Sequence, residues 1–424
     1  DSERRMGLLG QTSTVVINLG LPADDTATNR SLIDRLRRLF IRDAIAQTAP
    51  AAFSLVRVRV TAVDIGVIEK TFNAFGSLSL NVPAGALRQF EVIAYVASGD
   101  PSAAISFRGT ATANLPAGET VSLSVIMGLN ETKIVLPDPF DNVGPLTQRL
   151  IQINDMTGAG WIEKTGSDMG FFGTFRPWDV DFDNRGRIYI ANNNGNSGSD
   201  RIIRINNMSD TACITLGNGS NSGIFTVAVD RVNNYVYYST DSILQLRRCS
   251  LDGTGDMSLT PPSSISSING LTVGSDGSLY IVGINGSSQG TLYKYNPVTQ
   301  TEIASYTGLV TPSDVVVRPT AIYIADASDV FSNKIVQLNS NLQFVAGYGT
   351  WYYPPSIANT NPGMFYQPRR FAGIRNDELI IIDDAPPNYD FDKLVSIRDI
   401  YGTGWTTYGT EGKGQGQFMF FYGC

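Results

Sequence analysis

Gly186-Arg-Ile-Tyr-Ile-Ala-Asn192 returns four more times along the chain, as Tyr235–Thr240, Ser278–Val282, Ala321–Asp326 and Glu378–Asp384. Each copy follows a tight turn: Asn184-Arg-Gly186, Asn233-Asn234, Ser275-Asp-Gly277, Pro319-Thr320 and Asn376-Asp377. Before each turn lies a second apolar run, such as Val180–Phe182 or Asp314–Val317. The tyrosines Tyr189, Tyr237, Tyr280 and Tyr323 recur every 43 to 48 residues. One hairpin per 40–50 residues is the period of propeller blades, because a single unit cannot bury its own apolar face.

The repeats predict four strands per unit. The first full set is Trp178–Phe182, Arg187–Ala191, Arg201–Ile205 and Cys213–Leu216; others run through Phe225–Leu259, Leu271–Tyr306, Asp314–Gly347 and Phe371–Tyr408. Arg149–Ile153 and Trp161–Lys164 read as the two outer strands of one more blade. The C-terminus is then expected to return and supply that blade's inner strands, closing the ring and removing both free edges. Gly416-Gln-Phe418 opens a repeat, but Met419–Cys424 leaves room for one inner strand, not two. Either that blade is one strand short or the native chain continues.

The first 137 residues read differently. Ser13–Leu19 is a strand, and Ser31–Ala46 carries a helical pattern with a capping box at Ser31 and Asp34. Leu32, Leu36, Leu39 and Phe40 share one helix face; Arg35, Arg38 and Arg42 share the other. Such a helix either covers its own sheet or lies on an anionic membrane surface. From Phe53 the period becomes two: Val56, Val58 and Val60 alternate with Arg57, Arg59 and Thr61. Further runs at Ser77–Val82, Gln89–Val96, Ala104–Arg108 and Thr120–Met127 give about seven strands, the number of an immunoglobulin-like sandwich. The expected division is a sandwich over 1–137, a Pro/Gly linker over 138–148 and a propeller over 149–424.

Composition narrows the chemistry. The 424 residues contain no histidine, which removes the commonest general base, the usual zinc ligand and any Ser-His-Asp triad. Cys213, Cys249 and Cys424 have no metal-ligand spacing; Cys213 and Cys249 are expected either to pair between adjacent blades or to be free core thiols. A net charge of −7 argues against nucleic acid as partner, and no apolar run is long enough for a transmembrane segment. A chain starting at Asp1 without a signal peptide fits a mature exported protein.

The last repeat carries a resemblance. Gly363-Met-Phe365 with Gln367-Pro368, then Leu379–Asp384, Lys393–Ile397, Tyr408–Thr410 and Gly414–Phe418 resemble NHL repeats. That resemblance covers roughly Arg149–Phe418 and implies a six-bladed propeller. The front domain, with its turn at Val82–Gly85 and its exit Glu131–Ile134, is similar to those of exported bacterial lipoproteins. This implies an extracytoplasmic, cell-surface or secreted protein, lipid-anchored through an acylated cysteine before Asp1.

Two candidate sites follow. Loops after the second strands (Asn192–Asp200, Asp326–Asn333, Asp383–Asp392) and the segment Tyr348–Tyr366 emerge on one rim. There Trp351, Tyr352, Tyr353, Phe365 and Tyr366 form a candidate binding face, or else pack between blades. Aligned inner strands place Asp179, Thr226, Gly270, Asp314 and Arg370 at equivalent positions, with Asp179, Asp314 and Arg370 as a candidate channel mouth. The acidic loop Asp383, Asp384, Asp390 and Asp392 lacks the spacing of an EF-hand. No cofactor or catalytic residue is expected. The reading is a non-catalytic protein whose loop face meets a protein or glycan, with self-assembly into a surface polymer as a close variant. The alternative is a calcium-dependent lactonase or esterase using the channel carboxylates.

Overall fold

The computed structural model describes residues 12–20, 53–72, 77–96, 106–126, 128–130, 133–139, 148–183, 186–193, 201–217, 223–231, 233–240, 244–274, 276–318, 321–327, 333–351, 361–375, 378–384 and 392–419. It divides into two compact units, Asp1–Asn130 and Glu131–Cys424. Both are built from β-strands, and among the described residues no helix is long and apolar enough to cross a membrane. The expected helix over Ser31–Ala46 lies outside the described residues.

The first unit is a β-sandwich. One sheet orders Ser77–Pro83, Thr12–Gly20 and Thr120–Ile126; the last two are parallel. The other orders Ile65–Phe72, Phe53–Ala62, Gly85–Val96, Ser106–Leu115 and Gly128–Asn130, all antiparallel. Val56, Val58 and Val60 point into a core shared with Val15, Ile17, Leu78, Leu80, Phe90 and Val92. Because side chains alternate along a strand, Arg59 between them faces solvent. Each buried valine contributes about 1.5–3 kcal/mol relative to exposure.

The second unit is a β-propeller. Blade one comprises Pro177–Phe182, Ile188–Asn192, Arg201–Ile205 and Ile214–Leu216, in that order from the axis outward. Blade two comprises Ile224–Asp230, Tyr235–Thr240, Gln245–Ser250 and Met257–Leu259. Blade three comprises Ile265–Val273, Leu279–Asn285, Gly290–Asn296 and Thr301–Leu309. Pro312–Arg318, Ala321–Ala327, Asn333–Leu338 and Phe344–Tyr348 form blade four; Pro368–Arg375, Glu378–Asp383, Lys393–Ile397 and Thr406–Tyr408 form blade five. The second strand of each blade is sandwiched between neighbours, so it is buried on both faces and reads as an unbroken apolar run instead of alternating. Its tyrosines still find partners: Tyr189 donates to Asp183 at 3.1 Å and to the Leu251 carbonyl of blade two at 3.2 Å.

A three-stranded sheet completes the ring: Ile134–Asp138, Arg149–Ile153 and Ile162–Thr165. Ile134–Asp138 lies against the innermost strand of blade one on one side and that of blade five on the other. Here the structure departs from the sequence expectation. Ile134–Pro137, assigned to the sandwich, and Asp138, assigned to the linker, form the second strand of the split blade, and the boundary falls at Asn130–Glu131. Its pattern, buried at all five residues, is the pattern of the other second strands. The return of the C-terminus therefore leaves only the innermost position of that blade to fill.

Residues 410–418 dock as expected of a repeat. Thr410–Glu411 pairs in parallel with Gln417–Phe418, as Thr350–Trp351 does with Met364–Phe365 one blade earlier. Phe418 is fully buried against Trp161 at 5.7 Å and Tyr408 at 6.0 Å. Residues 420–424 lie outside the described residues. Cys213 and Cys249 are free thiols in separate core clusters, and burial pushes the Cys249 thiol up to about 12.

Candidate functional site at the channel mouth

Every innermost strand of blades one to five carries a register break in its ladder with the second strand, at the same place. The breaks fall at Trp178, Phe225, Asn269, Ser313 and Arg369. A bulge adds one residue and re-aims the side chains around it, and bulges concentrate where a sheet edge meets a site. All five bulged residues are half-buried; the residue after each is buried in four blades: Asp179, Thr226, Gly270 and Asp314. In blade five it is Arg370, also half-buried. Since the innermost strand begins beside the end of the second strand, this ring sits at the rim that carries the second-strand loops.

Arg370 spans the mouth. Its Nη1 donates to the carbonyl of Asn269 in blade three at 2.9 Å, and its guanidinium lies 5.0 Å from the ring of Phe225 in blade two. Phe225 packs against Trp178 of blade one at 5.3 Å, and Arg176 covers Trp178 at 5.0 Å. The result is a stack of Arg176, Trp178, Phe225 and Arg370 that crosses the junction of blades one and two and then the channel mouth to blade five. Cation–π contacts of this kind contribute about 0.5–2 kcal/mol each, more as water is excluded.

The two carboxylates hold neighbouring blades together. Asp179 Oδ2 accepts from Thr226 Oγ1 at 2.6 Å and from the Val227 N–H at 2.9 Å, both in blade two. Asp314 Oδ2 accepts from the Phe371 N–H of blade five at 2.8 Å, and its Oδ1 from Val315 N–H at 2.8 Å. One turn of the pleat deeper, Asp181 repeats the device with Val229 N–H at 2.7 Å and Arg231 at 2.7 Å. Innermost strands of adjacent blades share no ladder, so these carboxylates give otherwise unpaired amides an acceptor. Burial raises both Asp179 and Asp314, the latter to about 7; the Arg370 cation opposes that rise at each. At Gly270 the approach to blade four is close: a Cβ there would sit 2.8 Å from Asp314 Cα.

A second device recurs at the same rim. The polar residue ending each of several second strands accepts from the backbone entering the innermost strand. Asn192 Oδ1 takes the Arg176 N–H at 2.6 Å, and Asp326 takes Thr311 N–H at 2.8 Å. Asp383 takes the N–H groups of Tyr366 and Gln367, each at 2.9 Å. Asp138 takes the Met419 N–H at 3.1 Å in the split blade.

The structure thus brings Asp179, Asp314 and Arg370 together, as the alignment of inner strands expects, with Thr226 and Gly270 alongside. It does not present Phe365 and Tyr366 on the rim. Phe365 is fully buried, 5.2 Å from Trp405 and 6.3 Å from Tyr348; Tyr366 is 2% exposed beneath Lys393 at 4.6 Å. They pack between blades four and five because the chain entering an innermost strand must cross the blade's buried top. The side chains of Trp351, Tyr352 and Tyr353 lie outside the described residues, as does Asp390. Sequence reasoning missed Arg176, Trp178 and Phe225. The available signal was an aromatic one residue before the aligned Asp179 and Thr226, a position that alternation alone assigns to the other face.

No protein-family model matches the chain, and no curated protein matches it in sequence. Similar solved structures include a nidogen/laminin complex, with TM-score 0.46, 12% identity, and coverage of 63% of this chain and 89% of the other. A mitotic checkpoint complex follows at TM-score 0.40 and 13% identity, covering 67% and 83%. The hydrazine synthase of Kuenenia stuttgartiensis stands at TM-score 0.37 and 10% identity, covering 55% and 65%. Likeness at this level carries no argument, and the fold rests on the ring of sheets described above.

Proposed function

We propose that this is a non-catalytic extracytoplasmic binding or assembly protein, an NHL-like propeller behind an immunoglobulin-like domain, whose loop-rich channel mouth contacts a protein or glycan. The observation that carries this reading is the half-buried stack of Arg176, Trp178, Phe225 and Arg370. Aromatic and arginine side chains held rigidly at a polar rim are the residues that anchor interfaces, since they offer large contact area at little entropic cost. The exported location follows the resemblance of the front domain, and a repeating role in a surface polymer is a variant of the same reading.

The engagement of Asp179 and Asp314 supports a non-catalytic role over a calcium-dependent hydrolase. Their oxygens already accept backbone and hydroxyl hydrogen bonds, and Arg370 faces both with the positive charge a metal would otherwise bring. Purified protein applied to an arrayed glycan set and to its own immobilised copy tests the proposal. Binding that falls at least tenfold in Trp178→Ala and Phe225→Ala, measured where both variants remain folded, is the expected result. Binding indifferent to both variants, or ester hydrolysis that requires added calcium, would overturn it. Light scattering separates the polymer variant, which predicts mass growing with concentration.

A further inference from the structure

Blade five differs from its counterparts at the end of its second strand. Asp383 lies directly across the ladder from Lys393, and Lys393 Nζ is 3.2 Å from Asp383 Oδ2. Asp383 is fully buried and Lys393 is 5% exposed. The two carboxyl oxygens are in unlike surroundings. Oδ1 rests in a cradle of two backbone N–H groups, from Tyr366 and Gln367, each at 2.9 Å. Oδ2 faces the Lys393 ammonium. The next residue, Asp384, is 1% exposed; its Oδ1 has no hydrogen-bond partner, and its Oδ2 lies 3.6 Å from Arg369 Nε. Asp384 hydrogen-bonds Asp392, and burial pushes it up to about 8, so the pair holds a proton at neutral pH. Burial raises Asp383 as well, with Lys393 opposing.

The related positions lack one part or another. In the split blade Asp138 faces Arg149, whose delocalised guanidinium is a poor nucleophile. In blade four Asp326 faces Lys334, but the residue that follows is Ala327. Among the described residues blade five alone combines a buried lysine, a cradled carboxyl and a second buried acid.

We infer that Lys393 and Asp383 become joined by an intramolecular isopeptide bond. Nζ attacks Cγ of Asp383, and the charge that develops on Oδ1 is received by the Tyr366 and Gln367 N–H groups, which act as an oxyanion hole. The neighbouring Asp384 carboxyl carries protons from the nitrogen to Oδ2, which leaves as water. One ammonium and one carboxylate give one amide and one water; two protons move from nitrogen to oxygen, and no oxidant, nucleotide or other co-reactant takes part. Fixed placement of the two groups on adjacent strands replaces a bimolecular encounter with an intramolecular one. The product ties the second and third strands of blade five beneath the loop-rich rim.

Mass spectrometry of the denatured full chain tests this. The expected mass is below the sequence mass by one water, about 18 Da. Trypsin should fail to cut after Lys393, releasing 376–398 as one peptide with no backbone fragments between Asp383 and Lys393. Lys393→Met and Asp384→Asn should each return the full mass for their sequence. If either variant does not fold, the wild-type digest still decides. A wild-type chain at full mass with normal cleavage after Lys393 overturns the inference. So does a water loss located elsewhere, such as a succinimide, with Lys393 still cleavable.

Discussion

The backbone N–H of Met419 donates to Oδ1 of Asp138 at 3.1 Å, joining residues 281 apart in sequence. The same contact recurs one blade earlier between Tyr366 and Asp383. Arg149 seals the junction. It pairs with Asp138 at 2.9 Å and Glu163 at 2.7 Å, and donates to the carbonyls of Lys413 at 2.7 Å and Gln417 at 2.8 Å. The two ends of the propeller unit therefore meet through one buried ion pair and its hydrogen bonds.

Arg149→Met should accordingly loosen the whole ring. Removing one partner leaves Asp138 buried without its cation, a change that costs about 3–5 kcal/mol. Urea unfolding of the full chain should show the loss in the propeller transition. The double variant Arg149→Met with Asp138→Asn should recover a large part of it, because the orphaned charge is gone.

At the channel mouth, Arg370→Met should raise Asp179 and Asp314 further, since it removes the cation that opposes burial at both. The variant should be destabilised at pH 8 by about 2–4 kcal/mol and less at pH 5, where Asp314 is protonated. Unfolding midpoints at the two pH values measure this. An equal loss at both would show that the guanidinium acts through packing alone.

Stability of the intact protein should fall as pH rises through neutrality. Asp138, Asp314 and Asp384 are raised by burial to about 6, 7 and 8. Between about pH 4 and pH 8 the folded chain then binds protons that the unfolded chain has released, so acidification from pH 8 toward pH 5 favours the fold. Below that window the depressed carboxyls act the other way; Asp252, held down to about 2 by Ser250 and Thr254, needs its charge. Denaturant midpoints across pH 4–9 check the sign.

Gly270→Ala should cost about 1–3 kcal/mol, because its Cβ would lie 2.8 Å from Asp314 Cα, a backbone atom that cannot swing aside. Gly347→Ala, where the nearest atoms are at 3.6 Å and beyond, should be neutral within about 0.5 kcal/mol. Thermal unfolding of the two variants side by side gives the comparison.

The blades were legible because second strands are buried on both faces and so repeat as apolar runs, ending in Asn or Asp in most blades and in Thr240 in blade two. The sandwich was legible for the opposite reason: Val56, Val58 and Val60 alternate with polar residues on a half-buried sheet. Ile134–Asp138 was misplaced because its partner strand follows a Pro/Gly-rich stretch that looks like a boundary, and a lone strand does not announce its sheet. At the mouth, alignment found Asp179, Asp314 and Arg370 but not Trp178 and Phe225. A bulge shifts the facing of side chains by one residue, and nothing in a period-two pattern marks it. For Phe365 and Tyr366 the sequence left two readings open, rim or packing between blades, and the structure shows the packing. Aromatic residues beside prolines look alike whether they cap a core or line a rim.

Amide hydrogen exchange at Met419 tests ring closure most directly. A clasped ring predicts that the Met419 N–H is protected as strongly as the Tyr366 N–H, and that 417–419 open together with 134–138 as one cooperative unit. Exchange of Met419 at the rate of a free chain end, with 134–138 still protected, would contradict it.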